Sequence, residues 1–468
     1  MSAPANRLAT GVLPDAVIRD PNTNAYLIAV TLSPELSAAG VQTWLTDVTA
    51  LIEQLEEPDP DGVEVATVCT AFSPTFFLTD GQPRFGLAAT QISAGLASPP
   101  EIPALTAAAS EVGDVLFYVM SLSEARVAVF EQGLSGTRSA GLTAVTVELG
   151  FQRASGREAF GFLDGLRNAQ GQRREIAFVD PDISPEEPAW ATGGSYLTYI
   201  KIRQNLEAMA QKSEAEQDAL IGRRRTDGSR LDLPEDTPVD QEGPFEGTGC
   251  PVGAHIRKAG PRGALHDETK IFRRGVPYLT LNPDGTLDTG LQFVSFQRSL
   301  AEFAVIFGRW MTNPNFPTEG AGEDSLIAQG LITIEKSGFF FAPPSDPRYI
   351  GAGIFDPPAV DPCTVGEIVV QKQLLDRNGH PILSELGGIS FEVRKEGAAV
   401  GGQFTTDPTG RAISPPVPRG VALVVHEVSP PTGFQQAEDA SITLTSAREL
   451  VTIVNHQTPE GPGPVYSG

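Results

Sequence analysis

The stretch YLIAVTL, Tyr26 to Leu32, reads as a buried strand: it is short, rich in β-branched residues and nearly free of polar side chains. Outward from it, Val41 to Leu55 places apolar residues at helical spacing, and Val63 to Thr70 (VEVATVCT) returns to strand. The same rhythm follows once more, with Val115 to Met120 as strand, Glu124 to Gln132 as helix and Leu142 to Leu149 as strand. Two β-α-β passes of this kind point to an α+β sandwich of the ferredoxin-like type. The next part of the chain repeats the pattern. Ser195 to Ile202 (SYLTYIKI) is a strand, and a helix runs through Met209 toward Leu220. Lys270 to Arg273 and Leu291 to Phe296 (LQFVSF) are strands, and Leu300 to Met311 is a helix. The reading is therefore two similar halves in tandem, residues 1–160 and 161–358, with the polar, Gly/Pro-rich segment 225–249 as a long loop.

Around Phe355 to Cys363 (FDPPAVDPC) the composition shifts to that of a linker. Beyond it the chain consists of short strand-like runs, GEIVVQKQLL, ISFEVRK, GQFTTD, VALVVHEV, SITLTS and LVTIVN, separated by turn residues. That spacing predicts a small all-β sandwich over 359–457. The Pro/Gly-rich tail, 458–468, has no expected order.

A chain of 468 residues exceeds one hydrophobic core, so several domains are expected. The formal net charge of −24 disfavours nucleic acid and anionic membrane as partners and attracts cations. No stretch is apolar enough to span a bilayer. The N-terminus lacks a basic segment followed by an apolar core, which gives a cytoplasmic expectation, with non-classical export as the other route. Cys69, Cys250 and Cys363 are too far apart for a disulfide framework or a zinc motif, and no CxxCH is present for covalent haem attachment. Histidine is scarce. His380, His426 and His456 fall in the sandwich, so an imidazole ligand for a metal in the main body can come only from His255 or His266.

Five motifs then occur in order. They are Gly161-Phe162-Leu163-Asp164-Gly165; Glu216-Gln217-Asp218 with Ile221-Gly222-Arg223; Gly249-Cys250-Pro251-Val252-Gly253-Ala254-His255-Ile256-Arg257-Lys258; Arg273-Arg274-Gly275-Val276-Pro277-Tyr278; and Gly290 to Gln297 (GLQFVSFQ). This ordered set, from about Gly161 to Phe316, resembles the dye-decolourising haem peroxidases. The resemblance implies haem b between tandem ferredoxin-like halves, with His255 as the axial iron ligand. It places Asp324, in GEDSLI, as the acidic partner of that histidine, although Ser325 stands where the family usually has proline. A carboxylate hydrogen-bonded to the second ring nitrogen makes an imidazole ligand more basic.

On the other side of the haem the resemblance makes Asp164 the acid–base group and Arg273 the cation that stabilises charge on the departing peroxide oxygen. Leu291 and Phe293 would wall the pocket and restrict it to hydrogen peroxide. Larger reductants, such as dyes and phenolic or lignin-like compounds, would then be oxidised at the surface, with Tyr196, Tyr199, Tyr278, Trp190 and Trp310 as available relays. Mn²⁺ is a further candidate reductant, with Glu242, Glu246 and Glu268 near the haem-binding segments. His266 reads as a solvated loop residue and Cys250 as packing.

Residues Val369 to Asn455 resemble the B-type repeats of Gram-positive adhesins and pilins. That resemblance implies an internal amide bond between Lys372 on the first strand and Asn455 on the last, assisted by a buried Glu427. The leading expectation is thus a peroxidase carrying a spacer, docking or surface-display domain. The alternative is a haem- or iron-handling protein on the same fold, which would need neither Asp164 nor Arg273. The sequence leaves the oligomeric state and the physiological reductant open.

Overall fold

The computed structural model describes residues 17, 24–58, 66–106, 112–137, 141–168, 173–180, 184, 186–245, 247–263, 266, 269–356, 365–382, 386–395, 397–407, 409–444 and 448–458. Two compact units are present. The first takes Met1–Val179 with Glu186–Pro357, and the second takes Asp180–Pro185 with Pro358–Gly468.

The first unit is built on one nine-stranded sheet. Its N-terminal strands are β1 (Asn24–Leu32), β2 (Ala66–Phe72), β3 (Val115–Ser121) and β4 (Leu142–Phe151). They lie in the order β4-β1-β3-β2, all antiparallel. Helix α1 (Ala38–Glu56) links β1 to β2, and α2 (Glu124–Gly136) links β3 to β4. The α1 helix starts where Ser37 accepts a hydrogen bond from the Gly40 N–H, and it buries Val41, Trp44, Leu45, Val48, Ile52 and Leu55 along one stripe. Those side chains pack on Tyr26, Ile28 and Val30 of β1 and on Phe117 and Val119 of β3. This is the ferredoxin-like arrangement.

The second half repeats it with β5 (Ser195–Gln204), β6 (Phe272–Arg273), β7 (Val276–Leu281), β8 (Leu287–Gln297) and β9 (Ile332–Ala342). Their order is β9-β5-β8-β6, with β7 also on β8, so the topology of the first half recurs. The halves join edge to edge where Phe341 of β9 pairs Phe72 of β2. Their inner faces also share a core, in which Leu27, Leu116 and Tyr118 meet Leu197, Val294, Phe296 and Phe340. Gly290 permits the close approach of β8 to β5: a Cβ there would stand 1.9 Å from the Ile202 carbonyl oxygen.

Two sequence expectations change. The helix through Met209 toward Leu220 is two helices, α3 (Leu206–Ala210) and α4 (Glu214–Ile221). Ser213 and Glu216 form a reciprocal capping box that starts α4 afresh, and Gly222 ends it in the left-handed conformation. The Leu300–Met311 helix begins as α6 (Leu300–Ala304) and continues as a π-helix over Val305–Met311. Between them in the chain lies α5 (His255–Ala259), and α7 (Ser325–Ala328) follows. No helix among the described residues is long and apolar enough to cross a membrane.

The second unit contains β10 (Val365–Leu375), β11 (Pro381–Ile382), β12 (Ser390–Lys395), β13 (Ala398–Thr405), β14 (Arg411–Ile413), β15 (Val417–Pro418), β16 (Ala422–Glu427), β17 (Ala440–Thr443) and β18 (Arg448–His456). One sheet centres on β10, flanked by β11, β14, β15 and β18, and the other runs β13-β12-β16-β17. Ile368 and Val370 of the first sheet meet Phe391, Val393, Leu423 and Val425 of the second. First and last strands are parallel neighbours, with Lys372 opposite Ile453 and Leu374 opposite Asn455. The linker residues 357–364, including Cys363, and the tail 459–468 lie outside the described residues.

Candidate functional site

His255 is the first residue of α5. Its Nδ1 lies 2.8 Å from Asp324 Oδ2. Asp324 is fully buried and also caps α7, accepting the Leu326 N–H at 3.0 Å. Burial opposes a charge on the imidazole, but the adjacent Asp324 carboxylate outweighs it and raises the His255 pKa above the ordinary histidine value. With Nδ1 committed to the carboxylate, Nε2 is the nitrogen left to ligate a metal. The His255 side chain keeps 32% of its surface accessible. Ser325, in the place of the family's proline, supplies what a proline lacks: its N–H donates to Gly253 O at 2.9 Å. Its hydroxyl donates to Leu220 O at 2.7 Å. The Asp324 loop is thereby tied to the segment that carries His255.

Lys258, one helical turn beyond His255, is buried and was not singled out by the sequence. Its ammonium donates to the carbonyls of Asn313 (2.7 Å), Phe316 (2.5 Å) and Gly322 (2.8 Å), fastening the loop that leads to Asp324. Burial pushes its pKa down.

Asp164 stands in a loop fixed from several sides. Gly161 and Gly165 take positive φ values, 92° and 73°, which explains both glycines. Glu158, which no sequence motif marks, accepts the N–H groups of Phe160 and Phe162 at 2.9 Å each and the Gln204 carboxamide at 2.5 Å. Burial raises its pKa against those donors. Arg157 donates to Gly161 O at 2.8 Å. The Asp164 carboxylate is exposed and accepts the N–H of Gly165 at 2.6 Å.

Arg273 lies on the edge strand β6, half-buried, and among the described residues its guanidinium has no hydrogen-bond or ion-pair partner. It is close enough to His255 for its charge to oppose protonation of that ring, and Glu158 acts on His255 in the other direction. Asp164 in turn acts on Glu158. Arg273 and Glu158 thus both act on His255, and Asp164 reaches it only by way of Glu158. Leu291 and Phe293 are both half-buried and project from the same face of β8. Phe293 packs in the cluster that also takes in Ala259 of α5 and Ile271 just before β6. An anchored, partly accessible imidazole, two half-exposed apolar side chains and an unpaired guanidinium are a donor set that fits haem bound through a single histidine.

Other expectations fare differently. Tyr196, Tyr199, Tyr278, Trp190 and Trp310 are each at most 4% exposed, so none of the five is itself a surface site. Glu242 is corrected as a manganese candidate. It is buried and paired with Arg223 and Arg262, which leaves no open carboxylate face. Glu246 and Glu268 lie outside the described residues, among which no cluster of three or more His, Cys, Asp or Glu could hold a metal ion. His266 is half-buried beside Gly260 rather than solvated. Cys250 is buried, and its thiol is pushed up to about 11 by burial, in keeping with packing.

In the second unit, Lys372, Glu427 and Asn455 continue the inward-facing rows of β10, β16 and β18, and each is at most 1% exposed. Lys372 Nζ stands 2.7 Å from Glu427 Oε1, close but poorly aligned for a hydrogen bond. Asn455 Nδ2 donates to Glu427 Oε2 and to Gln435 O, both at 2.7 Å, while its Oδ1 has no partner. Burial pushes the Lys372 ammonium below its ordinary pKa against the pull of Glu427.

The fold of the first unit is the one shared by DyP-type peroxidases of known structure. Residues 155–347 match the family model described as Dyp-type peroxidase, C-terminal. The DyP-type peroxidase from Cellulomonas bogoriensis superposes with a TM-score of 0.58 at 23% identity, covering 73% of this chain and 95% of that one. A DypB variant from Rhodococcus jostii RHA1, in complex with haem, has a TM-score of 0.54 at 18% identity, covering 72% of this chain and 97% of that one. Among curated proteins, the deferrochelatase of Escherichia coli O157:H7 is 34% identical over 158 residues, 32% of this chain and 37% of that protein. The match thus spans little more than a third of that relative's length.

Proposed function

We propose that this chain is a haem-dependent peroxidase of the dye-decolourising type. It would use hydrogen peroxide to oxidise dyes and phenolic or lignin-like compounds by electron transfer to its surface. The observation that carries this reading is the unpaired Arg273 guanidinium held in the neighbourhood of a carboxylate-anchored His255. His255 would hold haem b through Nε2, and Asp324 would keep the ring's orientation and basicity. When bound, haem supplies a redox-active iron able to reduce the O–O bond. Asp164 takes a proton from one peroxide oxygen and returns it to the other. Arg273 stabilises the negative charge that develops on the departing oxygen. Leu291 and Phe293 keep larger molecules away from that step. Absorption spectra of the purified protein before and after peroxide, with steady-state dye oxidation, test the reading. A protein that takes up no haem, or takes it up and turns over no reductant, would sink it.

A second reading has a specific observation behind it: the curated relatives are named deferrochelatases. Haem or iron handling needs the His255 side of the site but neither Asp164 nor Arg273. Iron release from the loaded protein without peroxide, unchanged in Arg273→Leu, would favour it. Manganese as reductant rests on the acidic balance alone. Steady-state assays with peroxide and Mn²⁺ in a chelating buffer decide it, and no saturable Mn³⁺ production removes it.

For the second unit we propose a B-type spacer or docking domain closed by an amide bond between Lys372 and Asn455. The uncharged Lys372 amine attacks the Asn455 carboxamide carbon, the bond to Nδ2 breaks, and ammonia leaves. Glu427 carries the amine proton to the departing nitrogen, which it already contacts at 2.7 Å. Glu427 thus faces Nδ2 of Asn455 and not its carbonyl oxygen. A buried lysine with a lowered pKa favours the nucleophilic amine.

A further inference from the structure

Strand β6 closes its side of the large sheet, and among the described residues no strand lies beside its outer edge. Arg273 stands opposite Ser295 on the inner side. The next residue, Arg274, donates its N–H to Val294 O at 2.7 Å. Hydrogen bonding alternates along an antiparallel edge, so the N–H and C=O of Arg273 itself point outward. Both are met by a single side chain. Asn168 Oδ1 accepts the Arg273 N–H at 2.9 Å, and Asn168 Nδ2 donates to the Arg273 carbonyl at 2.6 Å. A carboxamide carries the same donor and acceptor as a peptide group, so Asn168 substitutes for one residue of a missing strand.

Asn168 is itself placed by a turn in which its N–H donates to Gly165 O at 3.1 Å. That turn begins at the residue after Asp164, whose own N–H donates to Gly156 O at 3.0 Å. The carboxylate of Asp164 and the guanidinium of Arg273 are not bonded to each other. Their backbones, however, are connected by one turn and one two-pronged clamp. We propose that Asn168 is the positioning residue that sets Arg273 relative to Asp164. This rests on the peroxidase reading above. The clamp fixes the backbone at Arg273 and hence the direction in which its side chain leaves the strand. A displacement of about 1 Å at such a group can cost on the order of 10²-fold in rate.

The test uses the haem-loaded full chain and four variants: Asn168→Ala, Asn168→Asp, Arg273→Leu and the double variant Asn168→Ala/Arg273→Leu. Asn168→Ala should slow the reaction with peroxide by about tenfold to 10²-fold. The double variant should be no slower than Arg273→Leu alone, because the clamp acts through the arginine. Fluoride affinity of the ferric protein reports hydrogen-bond donation on that side of the iron. It should fall in Asn168→Ala as it does in Arg273→Leu, with haem loading retained. Asn168→Asp supplies a readout that plain structural damage would not move. Ionised, it sets an oxygen against the Arg273 carbonyl; protonated, it regains a donor. Its rate relative to the wild type should therefore recover as pH falls through the carboxyl pKa. This variant also covers the case in which Asn168→Ala fails to fold. If Asn168→Ala matches the wild type in rate and fluoride affinity while Arg273→Leu is slow, the positioning role is overturned. A pH-independent Asn168→Asp defect overturns it too. If Arg273→Leu also reacts at the wild-type rate, the peroxide-cleavage reading falls first, and the role of Asn168 falls with it.

Discussion

His255 and Asp324 are 69 residues apart in the chain, yet Nδ1 of one and Oδ2 of the other meet at 2.8 Å. The contact depends on two separate fasteners, Ser325 N–H on Gly253 O and the Lys258 ammonium on three carbonyls of the 313–322 loop. A half-exposed imidazole with one nitrogen anchored and the other open is suited to metal ligation, and the anchor selects which nitrogen serves.

Replacing His255 by alanine is expected to abolish stable haem loading, while His266→Ala loads as the wild type does. Absorption spectra after reconstitution check this. A His255→Ala protein with an unchanged ferric spectrum would reassign the ligand.

The His255–Asp324 pair also predicts a pH dependence of the haem-free protein. The Asp324 carboxylate holds the folded pKa of His255 above the ordinary histidine value of about 6.5. Its stabilising contribution is therefore fully present below about pH 6.5 and lost as pH rises through the raised folded value. Asp324→Asn should flatten that part of the stability profile. Denaturant unfolding at a series of pH values measures it, and identical profiles for both proteins would count against the pairing.

Asp164→Ala is expected to slow the reaction with peroxide by about 10²-fold or more, and Arg273→Leu by a comparable factor. Stopped-flow absorbance after mixing with peroxide gives both rates. If only Arg273 matters, the proton transfer belongs to another group.

Lys258→Met should destabilise the first unit by about 3 kcal/mol or more, since it leaves three inward carbonyls without a donor. Denaturant midpoints of the haem-free proteins would reveal the loss. An unchanged midpoint would mean that the 313–322 loop holds its position without the ammonium.

In the sandwich, the intact mass should be lower than the sequence mass by one ammonia, allowing for removal of Met1. Glu427→Ala should restore the full mass. An unmodified wild-type mass would show that Lys372, Glu427 and Asn455 are buried together without reacting.

Much of this protein is determined by the sequence itself. The alternation of strand and helix patterns around Tyr26–Leu32 gives the ferredoxin-like layout, because apolar periodicity of 2 and 3.6 is a local property. The glycines of the GFLDG loop announce backbone conformations that other residues rarely adopt. Lys372, Glu427 and Asn455 share an inward face because strand alternation puts them there. What only the tertiary structure decides is whatever depends on contacts between distant segments. The edge-to-edge joining of the halves at Phe72 and Phe341 has no local signal. The break at Ser213 was locally encoded by Ser213 and Glu216, but the helical spacing running through it hid the cap. Glu158, Asn168 and Lys258 are common polar residues whose roles lie in which backbone groups they satisfy. The partners of Asn168 and Lys258 lie 105 and 55 residues away, and Glu158, besides the backbone four residues on, reaches Gln204, 46 residues away. Such pairings follow from the desolvation cost of unpaired backbone groups, a cost that exists only once the chain has folded around them.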